Sequence, residues 1–97
     1  MSIKEAIQTR KDVAVMKFET SKHYQFGKVI WPKVMESKDD PDVAALIAEI
    51  IDESEKSNEH IFYTIVGEVS VPIVYGSGLK GKELGVAVVT ALHDRLF

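Results

Sequence analysis

The chain has 97 residues, of which 45% are hydrophobic and 28% are charged, with no cysteine and a net charge of −3 at pH 7. This composition is typical of a folded globular protein rather than a disordered one, and the length suits one domain covering residues 1–97. The lack of cysteine excludes disulfides, thiolate catalysis and cysteine metal sites. The longest uncharged stretches, at 69–79 and 84–92, are too short to cross a membrane. Together these features predict a cytoplasmic protein with no membrane partner.

The first predicted elements are a helix over residues 3–10 and a strand over residues 12–19. Ser2-Ile3-Lys4-Glu5 has the form of a capping box, in which a serine and the glutamate three residues later each accept a backbone hydrogen bond. The second segment is rich in β-branched and aromatic residues, although one helix continuing to Phe18 is the alternative. Residues 24–34 are also rich in such side chains and are predicted to form a strand near the edge of a sheet.

A helix is predicted next, because Asp40-Pro41 combines an N-cap residue with a proline in the first turn. Apolar residues then recur at helical spacing: Val43, Leu46, Ile47, Ile50 and Ile51. Residues 60–66 and 69–75 are predicted to form two strands joined by Gly67-Glu68, since a two-residue Gly-X connection is typical of a type II′ hairpin turn. A glycine loop and a helix over residues 82–96 complete the chain.

The predicted order of elements is therefore α-β-β-α-β-β-α. The economical architecture for this order is an α+β fold in which a small antiparallel sheet of two hairpins has helices packed on a face. The C-terminal helix has an apolar stripe that is wide for its length: Leu84, Val86, Val88, Val89, Ala91, Leu92 and Phe97. One small sheet would not cover this stripe, so we expect the protein to form a homo-oligomer.

The most specific local motif is Gly76-Ser77-Gly78-Leu79-Lys80-Gly81-Lys82, which matches GxGxxG and GxxxxGK. Glu83 stands where a triphosphate-binding loop needs Ser or Thr for magnesium. Glycines expose backbone N–H groups, a helix start adds a positive dipole end, and lysines add charge, so an anionic, nucleotide-like ligand is predicted here. The predicted ligand residues are Gly76, Ser77, Gly78, Lys80, Gly81 and Lys82. The alternative is a turn whose glycines only permit a sharp reversal.

A second candidate surface is acidic. Residues 1–38 contain eight Lys or Arg and four Asp or Glu, whereas residues 39–97 contain four and eleven, giving net charges of +4 and −7. Acidic residues are concentrated on one predicted helix, where Asp42, Glu49, Asp52 and Glu53 are the candidate partner-binding residues. Such a surface would attract a basic protein partner, and the alternative is an ordinary solvated helix face.

A third candidate is the segment at 22–33, in which aromatic residues alternate with lysines as in single-stranded nucleic-acid platforms. A strand with aromatic residues inside and lysines outside is the alternative. The acidic net charge also makes nucleic acid an unfavourable partner.

The sequence offers little support for an enzyme, and it predicts neither a cofactor nor a metal. His23, His60 and His93 lie in three separate elements without the spacing of a metal site, and no GxSxG nucleophile motif occurs. A catalytic histidine assembled across the fold remains an open alternative. The leading hypothesis is a non-catalytic, homo-oligomeric protein that captures an anionic small molecule at the glycine loop. The second is an inhibitor or adaptor that uses its acidic face.

Overall fold

The computed structural model describes residues 24–97, with side chains described from residue 30 onward. This part of the chain forms four helices, α1 (Tyr24–Met35), α2 (Pro41–Lys56), α3 (Glu59–Gly76) and α4 (Gly81–Leu96). The helix predicted over residues 3–10 and the strand predicted over residues 12–19 lie outside the described residues.

The predicted α+β fold is wrong, because the described residues form helices and contain no strand or hairpin. The segment at 24–34 was predicted to be a strand and instead belongs to α1. Its β-branched and aromatic side chains serve a helical core, since Ile30, Trp31 and Val34 lie on one face and are at most 1% exposed. Burial of these side chains against the other helices outweighs their intrinsic preference for strands, which spans only about 1 kcal/mol.

The predicted hairpin at residues 60–75 is also wrong, because both segments belong to the continuous helix α3. The pair Gly67-Glu68 is not a turn, and Gly67 is buried within the helix. The buried positions recur at helical spacing: Phe62, Tyr63, Val66, Gly67 and Ser70. Pro72 is tolerated inside α3 because it lies at an exposed position, where a carbonyl left without its helical donor can meet solvent.

The helix predicted from Asp40-Pro41 is confirmed as α2. The Asp40 carboxylate accepts hydrogen bonds from the backbone N–H groups of Asp42 at 3.0 Å and Val43 at 3.3 Å. Pro41 is the first residue of the helix, as expected for a residue without an N–H group. The predicted apolar stripe faces the core, where Val43, Ala44, Ile47, Ile50 and Ile51 are buried and Leu46 is half-buried.

The predicted C-terminal helix is confirmed as α4, which packs against each of the other three described helices. Most of its wide apolar stripe is covered within the chain: Leu84, Val88, Val89 and Leu92 are at most 2% exposed, whereas Val86 and Ala91 are half-buried and Phe97 is 61% exposed. The buried part of the stripe does not need a second copy to cover it, and self-association stays a prediction.

Candidate functional site

The predicted anion-binding loop connects two helices, not a strand and a helix. Gly76 is the last residue of α3, and Gly81 is the first residue of α4. Gly78 and Gly81 have φ angles of 75° and 60°, in the left-handed region that strongly favours glycine. These two glycines are therefore required by the backbone of the connection whether or not a ligand binds there.

The Ser77 hydroxyl is already engaged within this connection. The Ser77 hydroxyl donates to the carbonyl of Ile73 at 2.6 Å and accepts from the N–H of Leu79 at 3.2 Å. Lys80 is the N-cap residue of α4, and its side chain makes no capping hydrogen bond to the first turn. The exposed Lys80 is the predicted ligand residue whose charge is best placed to meet an anion from solvent.

Lys82 lies against carboxylates instead. Its Nζ atom is 3.9 Å from Asp40 Oδ2. Both groups border a shallow pocket of about 400 Å³ whose lining consists of Glu36, Ser37, Asp39, Asp40, Pro41 and Lys82. Three carboxylates and one ammonium group meet there, so the local charge is negative and opposes anion binding beside Lys82.

The acidic residues predicted to bind a partner follow one side of α2. Asp42, Glu49 and Glu53 are spaced i, i+7 and i+11, which places them on one face of the helix. Asp42 and Glu49 are exposed, whereas Asp52 and Glu53 are half-buried. Together with the pocket carboxylates they form a surface that we call the acidic edge, made of Glu36, Asp39, Asp40, Asp42, Glu49, Asp52 and Glu53.

Glu49 and Glu53 of the acidic edge have polar neighbours that the sequence did not indicate. His93 Nε2 in α4 lies 2.6 Å from Glu49 Oε2, and the His93 ring stacks on Phe97 with centroids 4.8 Å apart. The Ser57 hydroxyl donates to Glu53 at 2.5 Å. The His93 contact joins residues 44 positions apart, so only the packing of α2 against α4 brings it about.

The predicted nucleic-acid segment at 22–33 is not the exposed strand that the interpretation required. Residues 24–33 belong to α1, and Trp31 is 1% exposed in the core, where it is not accessible for stacking on a base. Lys33 is half-buried. Residues 22 and 23 lie outside the described residues.

Among the described histidines and acids, no group of three or more could hold a metal ion. The predicted cofactor-free state stays a prediction. Within residues 24–97, no helix combines the length and apolar character of a membrane span. The chain has no significant match among protein family models, curated proteins or solved structures.

Proposed function

We propose that this protein is a non-catalytic binding module whose acidic edge docks a Lys- or Arg-rich segment of a protein partner. The observation that carries the proposal is the corner between α1 and α2. Here Glu36, Asp39, Asp40 and Asp42 lie close together along the chain, with Lys38 in the same turn and Lys82 of α4 beside Asp40. Four carboxylates against two ammonium groups leave an excess of negative charge.

Helix formation explains only part of this excess. Asp40 is needed as the N-cap of α2, and Asp42 is favourable beside the positive end of the helix dipole. Glu36 precedes the helix by several residues and is exposed, so capping does not require it. The negative potential of such a corner extends over a Debye length, about 8 Å at physiological ionic strength, and would accelerate association with a basic partner.

The first experiment measures binding of a fluorescent Lys/Arg-rich peptide by anisotropy, with an Asp/Glu-rich peptide of equal length as the negative probe. The edge variant Glu36→Gln/Asp39→Asn removes two charges from the corner and leaves the Asp40 cap in place. We expect it to bind the basic peptide about fivefold to tenfold more weakly, equivalent to about 1 kcal/mol.

The matched control is Glu55→Gln/Asp94→Asn, which removes the same charge from exposed positions outside the acidic edge. This control should bind within about twofold of the natural protein, since it leaves the corner unchanged. Equal weakening in both variants would contradict the proposal, because binding would then depend on net charge alone. Partners can be identified as lysate proteins that the control retains and the edge variant loses.

A second candidate is capture of an anionic, nucleotide-like molecule at the connection between α3 and α4. It is favoured by the exposed Lys80 next to a first turn without a side-chain cap. Calorimetry against nucleoside phosphates and cyclic nucleotides tests it, with Lys80→Ala/Lys82→Ala as the variant and Lys38→Ala/Lys56→Ala as the charge-matched control. A loss of tenfold or more in the first variant alone supports this candidate. Equal binding by both variants would show that the connection is only a turn.

A further inference from the structure

Helix α3 presents an apolar stripe to solvent. Ile61 and Tyr75 are 56% and 70% exposed, which is unusual for side chains of this size. Between them on the same face lie the half-buried Ile65 and the exposed Glu68 and Pro72. These five positions are spaced i, i+4, i+7, i+11 and i+14, so they form a continuous line about 21 Å long at 1.5 Å per residue. We call this line, from Ile61 to Tyr75, the α3 stripe.

We propose that a second copy of the chain packs on the α3 stripe, with the two α3 helices antiparallel about a two-fold axis at Glu68. The spacing of the stripe fits this symmetry, because its positions are arranged almost evenly on the two sides of Glu68. In the antiparallel register, Ile61 of each copy meets Tyr75 of the other, and Ile65 meets Pro72. The two most exposed apolar side chains of the helix would thus cover each other twice, as an isologous interface requires.

The charges at the centre of the α3 stripe also favour a second copy. Two Glu68 carboxylates facing each other across the axis would repel, but Arg95 of α4 has its Nη2 atom 4.0 Å from Glu68 Oε2. Both side chains are more than half exposed and can therefore rearrange. Around the axis, two carboxylates and two guanidinium groups would alternate in a neutral ring. The Glu68–Arg95 pair of one copy is therefore complementary in charge to the same pair of a second copy. A strongly basic or acidic partner would find no opposite net charge at this surface.

A shallow depression of about 340 Å³ lies beside this ion pair. It is lined by His60, Ile61, Thr64, Ile65, Glu68 and Arg95. A side chain of the size of Tyr75 from a second copy can enter at this end of α3. One helix from each copy buries less surface than a standard permanent interface, so the dimer should dissociate at micromolar concentration. The α3 stripe is separate from the acidic edge. If the protein does not dimerise through this stripe, the proposed function is unaffected.

Sedimentation equilibrium of the full chain, from about 1 µM to about 500 µM, tests the dimer. We expect the average mass to rise from 10.8 kDa towards twice that value. Ile61→Lys should remain a monomer throughout, because each copy would place one ammonium group, and the dimer two, in the apolar interface. Thr90→Lys, at an exposed position of α4, is the matched control and should dimerise as the natural chain does.

A charge-swap experiment tests the register. Glu68→Arg places four cations around the axis, and Arg95→Glu places four anions there, so each variant alone should be monomeric. Mixed in equal amounts, the two variants should form a heterodimer, because one supplies both cations and the other supplies both anions. A monomer at every concentration for the natural chain would overturn the proposal. Equal association of Ile61→Lys and Thr90→Lys would also overturn it. If the mixture of Glu68→Arg and Arg95→Glu remains monomeric, the antiparallel register is overturned.

Discussion

The hydroxyl oxygen of Ser37 occupies the place that a Cβ atom on Gly85 would need. Ser37 follows α1, is 1% exposed, and donates a hydrogen bond from Oγ to the carbonyl of Lys82 at 2.9 Å. A Cβ on Gly85 would also lie 2.5 Å from the carbonyl oxygen of Lys33, in backbone that cannot easily move. The end of α1 and the first turns of α4 therefore approach each other closely at a position where only glycine fits.

We predict that Gly85→Ala destabilises the protein by about 2–3 kcal/mol, because α1 and α4 must separate to accept the methyl group. The measurement is the free energy of unfolding from urea titrations followed by circular dichroism. Gly76→Ala is the matched control, since a Cβ at this helical position meets nothing within 4 Å. That control should be neutral or slightly stabilising, by up to about 1 kcal/mol. Equal loss of stability in both variants would contradict the close approach of α1 and α4 at Gly85.

The two faces of α2 give a second prediction. Ile47 is 0% exposed, so Ile47→Asp would bury an unpaired charge and should prevent folding. Glu49→Ala removes only the contact to His93, in which the Glu49 side chain is 55% exposed, and should change the free energy of unfolding by no more than about 0.5 kcal/mol. Thermal unfolding of both variants checks this. A folded Ile47→Asp variant would mean that α2 is oriented differently.

Helix α2 could be predicted from sequence because its local signals agree with its environment. Asp40 and Pro41 mark its start, and its apolar residues follow one helical period. Helix α3 could not be predicted in this way, because its residues are mostly β-branched or aromatic and Gly67 resembles a turn position. One local signal did exist: Asn58 caps α3 by accepting hydrogen bonds from the N–H groups of His60 and Ile61 at 2.9 and 3.3 Å.

The candidate site was predictable to the same limited degree. Acidic residues at helical spacing could be recognised on α2 because their neighbours along the chain define the helix face. The contacts of Lys82 with Asp40 and of His93 with Glu49 join residues more than 40 positions apart. Such contacts depend on how the helices cross, and periodicity within one helix contains no information about that.

Two buried serines provide a third prediction. Ser54 Oγ donates to the carbonyl of Ile51 at 2.6 Å, whereas Ser70 Oγ is buried with no hydrogen-bond partner among the described residues. Ser70→Ala should therefore be neutral or stabilise the protein by about 0.5–1 kcal/mol, because it removes an unsatisfied polar group. Ser54→Ala should cost about 1 kcal/mol. Chemical denaturation of the two variants measures the difference, and a larger loss for Ser70→Ala would contradict the assigned hydrogen bonding.

The last prediction concerns Tyr63, which is 2% exposed on α3. Burial raises the pKa of the Tyr63 phenol above its usual value of about 10, and the Glu59 carboxylate raises it further. The unfolded chain therefore loses this proton at a lower pH than the folded protein does. The resulting contribution to stability is complete below about pH 10 and is lost as the pH rises above that value, with a slope of at most about 1.4 kcal/mol per pH unit.

Urea unfolding between about pH 8 and pH 11 measures this effect. Tyr63→Phe removes the titrating group, so its stability should fall less steeply above pH 10 than that of the natural protein. Tyr75→Phe is the matched control, because it retains Tyr63 and should keep the steep fall. The difference in absorbance near 295 nm between natural protein and Tyr63→Phe should show that this phenol ionises only when the protein unfolds. Parallel pH profiles for the natural protein and Tyr63→Phe would contradict the buried position assigned to Tyr63.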